Sequence, residues 1–129
     1  MTDKKETAIL IVDDEEWIRD LLKDILETNG YRTKTAKNGT DAIKKIKQES
    51  FNVVICDINM PKLSGFDVLK QVRLIDSSIK IIMMTANGNE YYYNQCMSMG
   101  ASGFIGKPFD MQEMLAAIEY STGKNSFTD

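Results

Sequence analysis

The side chains best suited to chemistry all come at or just after the ends of short apolar runs of the sequence. Asp13 and Asp14 follow one run, and Asp57 follows another. Thr85 ends a third run, and Lys107 comes just after a fourth. If these runs are parallel strands, their carboxyl ends meet at one edge of a sheet, where ligands bind in such folds. The sequence therefore predicts that carboxylates, a hydroxyl and an ammonium converge in one site.

This set of groups suits phosphoryl transfer to a carboxylate. Two carboxylates about 4 Å apart repel each other by roughly 4 kcal/mol at an effective dielectric of about 20, so a cation must offset them. Oxygen ligands without histidine or cysteine favour Mg²⁺. Asp57 is the best placed nucleophile for an aspartyl-phosphate, and Thr85 and Lys107 would bind the phosphoryl oxygens. Each residue alone has an ordinary explanation as a cap or turn residue, but together they favour the site.

The apolar runs alternate with segments of helical periodicity, which is typical of βαβ units on a parallel sheet. Five strands are predicted: Ala8 to Val12, about Arg32 to Ala36, Val53 to Cys56, Lys80 to Met84 and Gly103 to Ile105. The second strand is polar and is predicted to lie at an edge. Ser64 and Asp67 have the spacing of a capping pair before the third of five predicted helices. We expect an α/β fold in one domain over residues 1–129, with its core over about 7–122 and a flexible tail or truncated linker over 123–129.

Composition and charge argue against several other classes of protein. The net charge is -3 and the lysines are mixed with acids, so no basic face for direct nucleic-acid binding is expected. The chain has no histidine, which excludes His-dependent triads and His-based metal sites. Its two cysteines stand in apolar runs and are predicted to be buried free thiols. We see no signal peptide, and the apolar runs are too short to cross a bilayer, so we expect a cytoplasmic protein without membrane contact.

Four ordered motifs resemble those of the receiver domain of bacterial response regulators. They are VDDE from Val12, CDINMP from Cys56, MTA from Met84 and KPF from Lys107. The resemblance covers about residues 7–122. It implies a flavodoxin-like three-layer sandwich with a parallel sheet of order 2-1-3-4-5, in a protein of two-component, phosphorelay signalling.

The resemblance also implies a role for each acid of the predicted site. Asp57 falls on the position of the family's phosphoacceptor. Asp14 and Asp57 fall on its direct Mg²⁺ ligands, and Asn59 falls on the position whose backbone carbonyl binds the ion. Asp13 falls on the acid that acts through water. Asn59 and Asn87 also resemble positions that tune the lifetime of the phosphoryl group.

A switch mechanism is implied by the same resemblance. Thr85 and Lys107 match the pair that binds the phosphoryl group, and Phe104 occupies the position of the aromatic switch residue; a plain core aromatic is the alternative for Phe104. Phosphorylation would draw Thr85 inward and let the Phe104 ring turn in. This change would remodel the face formed by the fourth predicted helix, roughly Asn89 to Met99, the fifth strand and the fifth predicted helix, which opens at Asp110. A cis peptide bond is predicted between Lys107 and Pro108.

Partners follow from the resemblance and from exposed aromatic residues. The phosphoryl donor would be a sensor histidine kinase or a His-phosphotransfer protein, and the output would pass to a downstream effector or an excised output domain. We predict that Trp17 and Ile18 contribute to docking of the kinase, although simple helix–sheet packing also explains Trp17. Pro108 is also predicted to lie on a partner surface. Tyr91 and Tyr92 are predicted on the effector surface.

For the helix that carries these tyrosines, helical spacing predicts a set of residues that face the core: Tyr93, Cys96, Met97 and Gly100.

Two alternatives remain at this point. A Mg²⁺-dependent phosphatase or mutase would also use an aspartyl-phosphate, but it needs a second acid close after the nucleophile, where this chain has Asn59. A receiver-like binding module that never accepts phosphate is the other alternative. The sequence favours a phosphoacceptor switch that is not an enzyme beyond assisting its own phosphorylation and dephosphorylation, and that is a monomer or a weak dimer.

Overall fold

The fold is built on one parallel sheet in residues 4–86 and 88–123, the part of the chain that the computed structural model describes. The sheet has five strands in these residues: β1 Ala8–Val12, β2 Arg32–Ala36, β3 Val53–Asp57, β4 Lys80–Thr85 and β5 Gly103–Gly106. Their order is β2-β1-β3-β4-β5, with parallel pairing throughout. The flavodoxin-like α/β fold predicted from the sequence is therefore confirmed. Of the predicted tail, residues 124–129 lie outside the described residues.

Helices alternate with the strands, as the sequence periodicity predicts. The described residues contain five α-helices: α1 Glu16–Thr28, α2 Gly39–Gln48, α3 Gly65–Ile75, α4 Glu90–Ser98 and α5 Met111–Ser121. A short 3-10 helix, Lys4–Glu6, precedes β1 and was not predicted. Within residues 4–86 and 88–123, no helix combines the length and the apolar character that crossing a membrane requires.

The burial of each strand follows from its place in the sheet. Every residue of β3 is buried, and β1 and β4 each have only one residue that is not. Continuous apolar strands are what a parallel sheet needs where helices cover both faces. β2 is polar, has alternating exposed residues and lies at one edge, as predicted.

Two hydrophobic layers hold the helices against the two faces of the sheet. One layer joins the sheet to α2, α3 and α4 through Ile46, Leu69 and Cys96. The other joins it to α1 and α5 through Leu22 and Met114. Both cysteines are buried and free, as predicted. This three-layer packing fixes the strand ends, and it therefore fixes the residues that follow them.

The sequence prediction for the inner face of α4 is confirmed for Cys96, which is buried, and is wrong for Tyr93, Met97 and Gly100, which are exposed. Tyr93 is 46% exposed and Met97 is 38% exposed, whereas Tyr92, Cys96 and Met99 pack against the core. The three inward residues are spaced four and three apart, so they share one side of a helix. The Tyr92 ring is held there because it packs edge-on against an aromatic side chain of α3.

Candidate functional site

The strand register brings the predicted acids together at the carboxyl edge of the sheet. Val12, the last residue of β1, pairs with Cys56 of β3, and Asp57 pairs with Met84 of β4. The acids that follow β1 therefore lie beside the acid that ends β3. One carboxylate oxygen from each of Asp13, Asp14 and Asp57 lies within 4.8 Å of the other two. This is the convergence that the sequence predicts.

Asp13 is fully buried, and its backbone N–H and both of its carboxylate oxygens make hydrogen bonds. Its backbone N–H donates to the carbonyl of Ala36 at 3.3 Å, which anchors it to β2. Its Oδ1 accepts from the backbone N–H of Glu15 at 2.9 Å, and its Oδ2 accepts from Lys107 Nζ at 2.8 Å. Asp14, by contrast, is exposed at the mouth of the site. The two neighbouring acids are therefore oriented differently, one locked and one open to solvent.

Asp57 ends β3 and is only 4% exposed. The loop after it is fixed because the N–H of Ile58 donates to the carbonyl of Met84 at 2.8 Å. The N–H of Gly65, the first residue of α3, donates back to the carbonyl of Ile58 at 2.9 Å. A side chain at Gly65 would not fit, since a Cβ there would lie 2.4 Å from the carbonyl oxygen of Asp57. Close approach of α3 therefore holds the strand end that carries Asp57.

Lys107 supplies the positive charge of the site. Its Nζ lies 2.8 Å from Asp13 Oδ2 and 3.4 Å from Asp57 Oδ1, and it also pairs with Glu15 at 4.0 Å. Its backbone N–H donates to the carbonyl of Thr85 at 2.8 Å, which continues the pairing of β4 with β5. The peptide bond between Lys107 and Pro108 is cis, so that prediction is confirmed.

The Thr85 hydroxyl makes a contact that sequence reasoning missed. Thr85 is fully buried, and its Oγ1 donates to the side-chain oxygen of Asn59 at 2.9 Å. Thr85 ends β4 and Asn59 lies in the loop after β3, so the two residues are 26 positions apart and no local spacing signals this pair. The predicted role of the Asn59 backbone carbonyl stays a prediction. Asn87, for which the resemblance implied a role in phosphoryl lifetime, lies outside the described residues.

The charges of the site are unbalanced toward the negative. Burial, and then the charge of Asp13, raise the pKa of Asp57 to about 6, although Lys107 acts in the opposite direction. Burial also raises the pKa of Asp13, against the hydrogen bond from Lys107. Burial tends to lower the pKa of Lys107, but the hydrogen bond and charge of Asp13, and then Asp57, outweigh it and leave that pKa raised. The surroundings therefore favour the charged form of Lys107, and Asp57 loses its proton at a higher pH than an ordinary carboxyl group does.

These groups have the chemistry of a Mg²⁺ site. The ligands on offer are hard oxygens, which Mg²⁺ prefers, and the partly exposed arrangement leaves room for the waters that Mg²⁺ usually keeps. Burial, and then the charge of Asp13, disfavour the ionised form of Asp57 and raise its pKa, and a divalent cation beside the three carboxylates would favour that ionised form. The residues present therefore fit the ion that the sequence predicts.

A family model matches most of the chain. The model, described as "Response regulator receiver domain", covers residues 9–119. The chain belongs to the response regulator receiver domain family. Phosphorylation and Mg²⁺ binding are typical of this family of two-component systems, and receiver domains are generally phosphoacceptor switches rather than classical enzymes.

Relatives of this receiver domain cover nearly its full length. It is 40% identical over 111 residues to the chemotaxis protein CheY of Bacillus subtilis, which spans 85% of this chain and 92% of the relative. It is 36% identical over 111 residues to sporulation initiation phosphotransferase F of Bacillus subtilis, spanning 86% of this chain and 90% of the relative. Among solved structures, it is similar to response regulator TrrA of Thermotoga maritima in complex with Mg²⁺ and BeF, with a TM-score of 0.81 and 36% identity over 89% of this chain and 98% of that one.

The predicted switch residue of the receiver domain, Phe104, is partly buried against the core layer that includes α4. Tyr93 of α4 packs edge-on against its ring, with the ring centroids 5.7 Å apart. A Cβ at Gly88 would lie 3.8 Å from Phe104 Cε1 and 3.9 Å from Thr85 Cγ2. The backbone at Gly88 therefore lies close to both the hydroxyl residue of the site and the aromatic ring.

The predicted partner surfaces of the receiver domain are only partly exposed. Trp17 is 62% exposed, but Ile18 is only 4% exposed. Ile18 is not a surface residue because it packs into the core layer between α1 and the sheet. It does line, with Trp17 and Pro108, a cavity of about 330 Å³ beside Lys107.

The effector surface predicted on α4 also needs correction. Tyr91 is 67% exposed and fits the prediction. Tyr92 does not, since it packs edge-on against Phe66 with the ring centroids 5.6 Å apart. The exposed aromatic residues of α4 are therefore Tyr91 and Tyr93.

Proposed function

We propose that this receiver domain accepts a phosphoryl group on Asp57 from a sensor histidine kinase or a His-phosphotransfer protein. The observation that carries the proposal is the grouping of Asp13, Asp14 and Asp57 oxygens within 4.8 Å, with Lys107 Nζ 3.4 Å from Asp57. The similarity to a sporulation phosphotransferase and to a chemotaxis protein supports it.

The acids would hold one Mg²⁺ ion. Asp14 and Asp57 would bind it directly, with the backbone carbonyl of Asn59, and Asp13 would bind it through water. When bound, the ion neutralises negative charge on the transferring phosphoryl oxygens. The similar structure whose title names a complex with Mg²⁺ and BeF supports this assignment.

The side chains of Asp57, Lys107 and Thr85 would carry out the phosphoryl transfer. An Asp57 carboxylate oxygen forms the new bond to phosphorus while the bond from phosphorus to the donor's ring nitrogen breaks, and that nitrogen keeps the electron pair. The Lys107 ammonium, now paired with carboxylates, pairs with one phosphoryl oxygen. The Thr85 hydroxyl, now donating to Asn59, donates to another.

The phosphorylated state would then change the face formed by α4, β5 and α5. When Thr85 turns toward the phosphoryl group, space opens beside it for the Phe104 ring, which shifts the population toward a different surface. Tyr91 on α4 would contact the downstream effector or output domain, and Trp17 and Pro108 would contact the donor. Tyr91→Ala should therefore weaken effector binding, and Trp17→Ala should slow transfer from a phosphohistidine donor relative to transfer from acetyl phosphate.

The proposal is tested by incubation with acetyl phosphate and Mg²⁺, followed by intact mass spectrometry. Wild type should gain the mass of one phosphoryl group, and removal of Mg²⁺ with EDTA should prevent the gain. Asp57→Ala is the test variant, and Asp24→Ala on the exposed side of α1 is its control. No adduct on wild type, or an unchanged adduct on Asp57→Ala, would contradict the proposal.

We propose further that the chain assists only its own phosphorylation and dephosphorylation. Asn59 stands two residues after Asp57, where a phosphatase that uses an aspartyl-phosphate needs its second acid. Steady-state turnover of a small phosphate ester, such as p-nitrophenyl phosphate, is the result that would contradict this.

A further inference from the structure

The Glu15 carboxylate connects the acidic site to an exposed aromatic ring. Its Oε1 lies 4.0 Å from Lys107 Nζ. Its Oε2 accepts a hydrogen bond from the Trp17 indole Nε1 at 3.1 Å. Glu15 is the N-cap of α1 but makes no side-chain cap hydrogen bond, so its carboxylate oxygens are not engaged by the N–H groups of the first turn. Its orientation is set instead by Trp17 and Lys107.

Glu15 competes for the one ammonium that the reaction needs. Lys107 already pairs with Asp13 at 2.8 Å and with Asp57 at 3.4 Å. A phosphoryl oxygen on Asp57 needs Lys107 to turn toward it, and Glu15 attracts the same ammonium from the solvent side. Its negative charge also repels an anionic donor that approaches Asp57, because both groups lie near Lys107 and like charges repel even when partly solvated. Both effects oppose phosphorylation by a small anion.

We propose that Glu15 is a positioning residue that restrains Lys107 and slows phosphorylation of Asp57 by small anionic donors, and that Trp17 holds Glu15 in place. The inference rests on the proposed phosphorylation of Asp57. The inference gives Trp17 a second role. The exposed indole, which we propose contacts the phosphoryl donor, also fixes the Glu15 carboxylate at the entrance of the site.

The test measures the rate of adduct formation with acetyl phosphate at saturating Mg²⁺ and low ionic strength. Glu15→Gln removes the charge but keeps an oxygen that can accept from Trp17, and it should raise the rate by roughly threefold to tenfold. The gain should shrink as salt is added, because the interaction is partly exposed. Glu16→Gln is the matched control: Glu16 is exposed and carries the same charge, but it is not among the Lys107 ion pairs of the described residues.

A second variant, Trp17→Phe, tests whether the position of the Glu15 charge matters in addition to the charge itself. Trp17→Phe keeps a ring but removes the indole N–H, so it should give a smaller gain than Glu15→Gln. In the Glu15→Gln background Trp17→Phe should add nothing, because the charge it positions is gone. Urea unfolding of each variant checks that the fold is intact.

The outcomes distinguish this inference from the proposed function. If wild type forms the adduct but Glu15→Gln reacts no faster, or if Glu16→Gln gains as much, the inference is wrong and the proposed function stands. Full additivity of Glu15→Gln and Trp17→Phe also overturns it. If wild type forms no adduct at all, the proposed function is wrong and the inference is wrong with it.

Discussion

At the scale of single residues, the Asp57 carboxylate lies in surroundings that disfavour its negative charge. Asp57 is buried beside Asp13, and its pKa is raised to about 6 by burial and by that neighbouring charge. Lys107 offsets this only in part. The ionised form of Asp57 therefore weakens the fold at neutral pH, and groups that neutralise it would strengthen the fold.

Asp57→Asn should stabilise the domain at pH 7 in the absence of divalent cations, by on the order of 2 kcal/mol in the free energy of unfolding. Between pH 3.8, the ordinary pKa, and about 6, folded Asp57 binds more protons than the unfolded chain. The contribution of Asp57 to the free energy of unfolding of the wild type therefore falls as the pH rises through that window. Urea denaturation with EDTA at pH 4 and pH 7 measures the difference, which should be small at pH 4 and full at pH 7.

A control variant tests whether burial causes this effect. Asp24→Asn removes an exposed acid of α1 and should change the stability little at either pH. Equal stability of wild type and Asp57→Asn at pH 7 would mean that the buried charge is not destabilising.

At the scale of elements, the turn from β3 into α3 decides where Asp57 sits. Lys62 in this turn has a positive φ of 67°. Ser64 then caps α3: its hydroxyl accepts from the N–H of Asp67, and the Asp67 carboxylate accepts from the N–H of Ser64. The predicted capping pair is thus a capping box. It fixes the first turn of the helix that presses against the end of β3.

Ser64→Ala should lower the free energy of unfolding by about 1 kcal/mol, because the first turn of α3 loses its side-chain acceptor. The rate of phosphorylation of Asp57 should change little, since the backbone contacts of the turn remain. Urea denaturation and the acetyl phosphate assay measure the two quantities. Ser64→Thr keeps the hydroxyl and should retain most of the stability; a loss as large as that of Ser64→Ala would show that the cap is not the cause.

Gly65→Ala should destabilise the domain by about 2 kcal/mol or more, because the added Cβ cannot fit. It would lie 2.4 Å from the carbonyl oxygen of Asp57 and 2.6 Å from Ile58 Cα, both backbone atoms. The displaced strand end should also slow phosphorylation of Asp57. The control is Gly106→Ala at the same edge of the sheet, where a Cβ would meet only the Thr85 carbonyl oxygen, at 4.0 Å. Equal effects of the two substitutions would argue against the clash.

At the scale of the whole molecule, the site exists only when the sheet is assembled. Asp13 and Asp14 follow β1, Asp57 ends β3 and Lys107 follows β5, so the unfolded chain cannot present them together. A cation that binds this cluster binds the folded state and stabilises it by mass action. The same binding needs Asp57 without its proton, so it must depend on pH.

Mg²⁺ should raise the free energy of unfolding, by about 2.7 kcal/mol at one hundred times its dissociation constant. The effect should be larger at pH 7 than at pH 5, because Asp57 has a pKa of about 6 and is largely protonated at the lower value. Urea denaturation with Mg²⁺ or with EDTA at both pH values measures it. Asp14→Asn should reduce the effect, and Asp24→Asn should not; a Mg²⁺ effect that is the same in both variants would place the ion elsewhere.

The sequence alone determined the α/β fold class and predicted which side chains meet at the carboxyl edge of the sheet. Apolar runs of strand length and helical periodicity between them leave few arrangements other than a parallel sheet covered by helices. The polar character of β2 placed it at an edge. Because parallel strands end at the same side of a sheet, the positions of Asp57, Thr85 and Lys107 at or just after three strand ends were enough to predict that they converge.

Only the tertiary structure decided which neighbours these side chains meet. The hydrogen bond from Thr85 to Asn59 and the link from Trp17 through Glu15 to Lys107 join residues on different elements or depend on side-chain conformation. Sequence spacing carries neither kind of information.

The rotation of a helix about its axis was also decided by packing. Tyr92 packs against the core layer and meets the Phe66 ring of α3, whereas Tyr93 meets the Phe104 ring and stays 46% exposed. Ile18 is buried and Trp17 is not, although the two are adjacent near the start of α1. Periodicity gives the angle between side chains on a helix, but the contact with the neighbouring element fixes which of them points inward.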